Sequence, residues 1–130
     1  MLKFRLHGIA VALLLVTLTV AQPSTAAEPV FIVAHRGLLR HAPENTLVNF
    51  RACLELRLGF EFDVRRSKDG HLVCVHDDTV NRTSDGTGKV TELTLAHLKK
   101  LDAGSWFGPE FAIERVPTID EVFALLARHR

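Results

Sequence analysis

The chain has 130 residues, 47% of them hydrophobic and 24% charged, with a formal net charge of +1. That is enough apolar material for one core, which argues against a disordered chain, and the charge is too balanced to mark a nucleic-acid surface.

In chain order, Lys3 and Arg5 give a positive start, Ile9 to Val20 is an apolar run, and small residues continue to Thr25-Ala26-Ala27 before Glu28. This is the pattern of a signal peptide over residues 1–27. Twelve helical residues reach only about 18 Å across a hydrocarbon layer of about 30 Å, so the run is short for a membrane anchor. No Cys follows it at a lipoprotein position. The mature chain, residues 28–130, is therefore expected in the periplasm or outside the cell, with no stable membrane anchor. Lys3 and Arg5 are the only charged residues of the leader. Without them 14 basic residues face 15 acidic ones, a net charge of −1.

Val30-Phe31-Ile32-Val33-Ala34 reads as a strand buried on both faces, and it delivers His35-Arg36-Gly37. Leu38 to Glu44 is a loop in which Pro43 biases Ala42 away from helix. Asn45 or Thr46 caps a helix to about Leu58, with apolar residues at helical spacing and Gly59 as its stop. Phe60 to Val64 is the next strand, paired in parallel with the first through a right-handed crossover. Ser67-Lys68-Asp69-Gly70 is a tight turn, after which the chain either pairs antiparallel or continues as a bent strand. Leu72 to Val75 is a further strand delivering His76-Asp77-Asp78. From Asp77 to Lys89 the chain is a polar loop over the presumed active face. Thr94 caps a short helix from Leu95 to Leu101. Ser105 to Val116 is irregular and pinned by Trp106, Phe107 and Phe111. Thr118 to Glu121 is a capping box that opens a final helix.

The chemistry concentrates in Phe60-Glu61-Phe62-Asp63-Val64. Strand alternation puts Glu61 and Asp63 on one face and the apolar residues on the other. Two carboxylates about 5 Å apart repel by roughly 3 kcal/mol at an effective dielectric near 20. A divalent cation such as Mg²⁺ or Ca²⁺ would neutralise them, and so would pairing with Arg or Lys or exposure to solvent. His35 and His76 also sit at strand ends, where ligands bind in parallel α/β folds. Export makes Cys53 and Cys74 worth weighing as a disulfide. Cys53 lies on a helix outside the sheet and Cys74 is expected on the inward face with His76, so two free buried thiols are predicted.

His35-Arg36-Gly37, Pro43-Glu44-Asn45-Thr46, Glu61-x-Asp63-Val, Lys68-Asp69-Gly70 and His76-Asp77-Asp78 resemble, in order and spacing, the N-terminal signature of the glycerophosphodiester phosphodiesterase family. Arg82-Thr83, Gly86-Thr87-Gly88, Leu93 to Leu101 and Val116-Pro117-Thr118 extend the likeness to the end of the chain. The resemblance implies an α/β fold, the N-terminal portion of a (β/α)8 barrel of the phospholipase C-like phosphodiesterase type. It also implies hydrolysis of glycerophosphodiesters to glycerol 3-phosphate and an alcohol. By the same resemblance Glu61 and Asp63 are metal ligands for Ca²⁺ or Mg²⁺, and His35 and His76 are the acid/base pair. Arg36 binds phosphate, and Glu44 and Asn45 shape the site.

A full barrel of this type needs about 250 residues, and in the family a third acidic ligand, with a Lys nearby, comes from a later strand. The chain is therefore expected to bind Mg²⁺ or Ca²⁺ weakly and to turn over slowly. His7, His41, His71, His97 and His129 fit no such constellation and read as surface or structural. The competing readings are a lysophospholipase D or sphingomyelinase-like phosphodiesterase and an inactive exported fragment.

Overall fold

The computed structural model describes residues 30–129, and the expected signal peptide lies outside them. The elements are β1 (Val33–Ala34), α1 (Leu47–Glu55), β2 (Gly59–Phe60), β3 (Val64–Arg66), β4 (Leu72–Cys74), α2 (Leu95–Leu98) and α3 (Ile119–Arg128). Short 3₁₀ turns occupy Val90–Glu92 and Pro109–Phe111. β1 and β2 pair in parallel, Val33 beside Gly59 and Ala34 beside Phe60, as the strand-helix-strand order requires. β3 and β4 pair antiparallel, so the Ser67–Gly70 link is a hairpin turn. Ser67 closes it by donating its N–H to His71 O at 2.8 Å and its hydroxyl to Asp69 Oδ1 at 2.7 Å.

Two strand expectations need correction. The apolar run from Val30 is strand only at Val33–Ala34, and Val30, Phe31, Ile32 and Val33 are exposed, Phe31 by 84%. Among the described residues β1 has a partner on one edge alone, so nothing covers its second flank. The run Phe60 to Val64 is not continuous either. Glu61 N–H still donates to Ala34 O at 3.0 Å, but Asp63 N–H goes to the side chain of Asn45 at 3.1 Å. That diversion ends the parallel ladder and lets β3 turn away to pair with β4.

α1 also stops earlier than predicted. Leu56 is its C-cap, and Arg57 adopts the left-handed conformation (φ 56°). Arg57 N–H donates to Leu54 O and Leu58 N–H to Cys53 O, both at 2.9 Å, the paired bonds of a Schellman ending. Gly59 instead opens β2, where a Cβ would press within 3.3 Å of the Val33 side chain. At the other end Thr46 is the N-cap, but its hydroxyl donates to Pro43 O at 2.7 Å rather than capping. α2 keeps its predicted Thr94 cap and is shorter, ending at Leu98.

β4 divides the apolar interior. Val73 and Val75 pack with Val80, Val90, Leu98, Leu101, Ala103 and Val116, while Cys74 points the other way, to Phe50, Val122 and Leu125. Cys74 therefore lies on the helix side, not on the inward face predicted for it. Phe50 is fully buried, stacked on Phe60 with centroids 4.5 Å apart and tilted against Phe62 at 5.7 Å. The alternation predicted for residues 60–63 therefore holds, with the aromatics facing α1. Cys53 and Cys74 are both buried and free, as expected; burial raises both thiol pKa values, that of Cys74 to about 12.

α3 opens on the predicted capping box: Thr118 Oγ1 accepts from Glu121 N–H at 3.2 Å and Glu121 Oε2 accepts from Thr118 N–H at 2.8 Å. Lys99 Nζ joins α2 to this corner through Glu121 Oε2 at 2.7 Å and Val116 O at 3.0 Å. Cys74 N–H donates to Pro117 O at 2.8 Å, which fastens β4, and with it His76, to the start of α3. Trp106 and Phe107 meet edge-on at 5.7 Å, as do Phe107 and Phe111 at 5.4 Å. No helix among the described residues is long and apolar enough to cross a membrane.

Candidate active site

Three segments carry the polar face: the end of β1 with its loop, the stretch between β2 and β3, and the end of β4 with the loop behind it. The first turns on Arg36, whose backbone is left-handed (φ 54°). Its peptide N–H donates to Glu61 Oε2 at 3.2 Å and its carbonyl accepts from Asn45 N–H at 3.1 Å. Its guanidinium lies between two carboxylates, with Nε 3.3 Å from Asp63 Oδ2 and Nη1 3.4 Å from Glu44 Oε1. Nε is buried and makes no hydrogen bond within the described residues. Asn45, also left-handed (φ 56°), grips Asp63 from both sides. Its Nδ2 donates to Asp63 Oδ2 at 3.0 Å, and its Oδ1 accepts from Asp63 N–H at 3.1 Å. Left-handed non-glycine residues cost about 1–3 kcal/mol each and gather at functional sites.

The loop reaches this shape because Asn49 organises it from inside α1. Its side chain accepts from Leu38 N–H and donates to Ala42 O at 3.0 Å and Pro43 O at 3.2 Å. Gly37 passes directly over that amide at φ 90°, where a Cβ would collide with Asn49. The conformation and the close approach both require glycine here.

The β4 end is held by a second arginine. His76 Nδ1 lies 2.6 Å from Asp77 Oδ1. Arg82 grips Asp77 through Nε at 2.7 Å and Nη2 at 3.0 Å. It grips Glu44 through Nη1 and Nη2, each at 2.8 Å. The Arg82 hydrogen bonds hold the Asp77 carboxyl well below the usual carboxylate range, with His76 adding to the effect. They also lower Glu44 despite its burial, and the two carboxylates in turn raise Arg82. An ionised Asp77 can only accept, so the proton on this side of the ring is carried by Nδ1, which leaves Nε2 as the working nitrogen. Arg65 steadies the same turn from β3 by donating to His76 O at 2.8 Å through Nε and pairing with Asp78.

The residues predicted from sequence are thus brought into one contact network. His35 Nε2 lies 4.0 Å from Glu61 Oε2. Glu61 and Asp63 both meet Arg36, and Arg36 meets Glu44. Glu44 is joined through Arg82 and Asp77 to His76. Glu44, Asn45 and His76 share a cavity of about 10 Å³, the size of a single water. Of the readings left open for the acidic pair, arginine pairing accounts for Asp63, whereas Glu61 keeps its Oε1 free of side-chain partners among the described residues. The face gathers five carboxylates (Glu44, Glu61, Asp63, Asp77, Asp78) and three guanidiniums (Arg36, Arg65, Arg82), and all of the carboxylates but Glu61 pair with a guanidinium. With neutral imidazoles that leaves a local charge of about −2, suited to a hard divalent cation. The described residues hold no cluster of three His, Cys, Asp or Glu able to ligate a metal by itself, so Glu61 and Asp63 form at most part of such a site. His41, His71, His97 and His129 are exposed, as expected, and His7 lies outside the described residues.

Sequence reasoning missed Arg82, Asp77, Asn49 and Arg65. Asp77 and Arg82 stood in the recognised runs His76-Asp77-Asp78 and Arg82-Thr83, but without a role. No local pattern marks an arginine that closes a contact to a carboxylate 38 residues earlier.

Comparison with known proteins identifies the family. Residues 35–130 match the Glycerophosphoryl diester phosphodiesterase family. A glycerophosphodiester phosphodiesterase of Caldanaerobacter subterraneus is 52% identical over 96 residues, 73% of this chain and 40% of the relative. Glycerophosphodiester phosphodiesterase 1 of Mus musculus is 41% identical over 100 residues, 75% of this chain and 30% of the relative. Among solved structures, a glycerophosphodiester phosphodiesterase from Agrobacterium tumefaciens superposes with a TM-score of 0.73 at 40% identity, over 76% of this chain and 43% of that one. An Oleispira antarctica phosphodiesterase in complex with the product sn-glycerol-3-phosphate gives a TM-score of 0.73 at 41% identity, over 76% and 40%. This chain spans about two fifths of the length of these bacterial relatives, and its fold is the corresponding part of their α/β barrel. On its motifs, its geometry and this match, the chain belongs to the glycerophosphoryl diester phosphodiesterase family.

Proposed function

We propose that this chain carries the first part of a catalytic face that hydrolyses glycerophosphodiesters, such as glycerophosphocholine or glycerophosphoethanolamine, to glycerol 3-phosphate and an alcohol. The observation that carries the reading is the single network joining His35, Arg36, Glu44, Asn45, Glu61 and Asp63 to His76. His76 presents Nε2 because Asp77 occupies Nδ1, and the exposed His35 ring stands beside Glu61 at the far end of the same face. One imidazole takes a proton from the attacking water as its oxygen bonds to phosphorus; the other gives a proton to the departing alkoxide as its P–O bond breaks. Arg36 offers a planar cation to the non-bridging phosphate oxygens.

Enzymes of this family generally use a divalent metal. Here Glu61 and Asp63 would hold it, Ca²⁺ or Mg²⁺, and it would offset charge on the phosphoryl oxygens. The leader pattern supports export, and on this reading the mature chain would act in the periplasm or outside the cell.

The test is release of glycerol 3-phosphate from glycerophosphocholine by the purified chain with Ca²⁺ or Mg²⁺ present. We expect slow release that falls by about 10²–10⁴-fold in His35→Ala and in His76→Ala. Release no faster than from a His35→Ala/His76→Ala double variant would overturn the assignment.

A further inference from the structure

Arg82 lies outside the residues assigned to the reaction, in the loop between Asp77 and Lys89, and its side chain is 44% exposed. An exposed arginine with one carboxylate partner would be an ordinary surface ion pair. Arg82 has two partners of different kinds. Glu44, on the β1–α1 loop, is only 8% exposed and also meets Arg36. Asp77 is bonded to His76 Nδ1. The end of the guanidinium takes both Glu44 oxygens and its side takes both Asp77 oxygens. Four of its five N–H donors are thereby committed to two carboxylates that belong to different segments of the site.

We propose that Arg82 is a positioning residue for His76, locking the imidazole in its Nδ1–H tautomer and fixing its Nε2 relative to the Arg36–Asp63 corner. The fork does this because each edge constrains a plane. Glu44 sets the plane of the guanidinium, the guanidinium sets the plane of the Asp77 carboxylate, and that carboxylate sets the ring. A lysine, with one ammonium and no plane, could neutralise both acids but could not transmit orientation. The lowered Asp77 carboxyl fits this arrangement, since a carboxylate kept ionised accepts from Nδ1 and never donates to it. Arg65 completes the setting by holding His76 O, so backbone and ring are fixed from opposite sides.

The kinetic part of this inference rests on the proposed hydrolase reading; the tautomer part does not. The test uses ¹⁵N-labelled histidine in the full chain at about pH 9, above the ordinary imidazole pKa of about 6.5, so that the ring is neutral. Long-range ¹H–¹⁵N spectra then give the tautomer. His76 is expected mainly as the Nδ1–H form in the native chain and mainly as the Nε2–H form in Arg82→Met and Arg82→Lys. Arg115→Met, which removes a guanidinium bonded, among the described residues, to the nearby carbonyls of Ala112 and Glu114, keeps the native spectrum. In turnover, Arg82→Met and Arg82→Lys lose about 10- to 100-fold in kcat with KM little changed. An Nε2–H ring in the native chain overturns the proposal even if no variant folds. An unchanged tautomer, or native kcat, in a folded Arg82→Lys overturns it as well. Absence of turnover in the native chain would count against the hydrolase reading alone, and the spectra would still decide the role of Arg82.

Discussion

The two ends of the polar face are built differently. At the β4 end His76, Asp77, Arg82 and Glu44 are locked by five hydrogen bonds of 2.6–3.0 Å, and Val73 and Cys74 of β4 are buried in two apolar clusters. At the β1 end His35 is 65% exposed and 4.0 Å from Glu61, on a two-residue strand whose outer flank is open. One imidazole is oriented by its own surroundings; the other has its partner within reach but is not held. Within the described residues, the site is finished on the side where strand and hairpin enclose it and unfinished on the side where β1 lacks a second neighbour.

The contrast is broken most strongly through the core. Phe50→Ala removes a fully buried ring beneath both Phe60 and Phe62 and is expected to cost about 3–5 kcal/mol in urea unfolding. Ile32→Ala, on the open flank of β1, is expected to stay within about 0.5 kcal/mol. Similar losses at the two positions would mean that the flank is covered in solution.

Next comes Asn45→Ala, which deletes both bonds to Asp63 and leaves alanine at φ 56°. About 2–3 kcal/mol is expected, combining buried hydrogen-bond loss with backbone strain. Asn45→Gly recovers the backbone part alone, so equal losses for the two variants would show that backbone strain contributes nothing, and native stability in Asn45→Gly would show that the clasp contributes nothing. Gly37 and Gly70 separate strain from space in the same way. Both have φ near 90°, but an added Cβ meets Asn49 at Gly37 and open space at Gly70. Gly37→Ala should cost about 1–3 kcal/mol more than Gly70→Ala, read from unfolding midpoints.

The smallest expected effect is on pH dependence. Asp77 and Glu44 have lowered pKa values in the folded chain. Their contribution is complete above the ordinary carboxylate pKa of about 4 and is lost as pH falls through the lower folded values. Stability should decline below about pH 4, and Asp77→Asn should flatten that acid limb. An unchanged limb in this variant would show that the carboxylate is no better bound in the folded chain than in the unfolded one.

How much of this was legible in the sequence follows from the range of each interaction. The capping box at Thr118, the Thr94 cap and the alternation of Phe60 to Asp63 are local, and each formed as its neighbours dictated. The end of α1 did not follow the obvious glycine, because Arg57 took the left-handed turn two residues before Gly59. The long strand expected at Phe60 to Val64 failed because one amide, that of Asp63, found a side chain 18 residues earlier instead of a strand. The site residues themselves were recognisable as an ordered family pattern. The role of Arg82 was not, since it exists only once two separate loops meet.

The central claim is that these segments form one phosphate-binding face. It is tested most directly by titrating glycerol 3-phosphate into the ¹⁵N-labelled chain and following the amide spectrum. The account predicts shifts that grow together, with one affinity, at Arg36, Asn45, Glu61 and His76. Shifts confined to the β1 end or to the β4 end, or different affinities for the two, would contradict it.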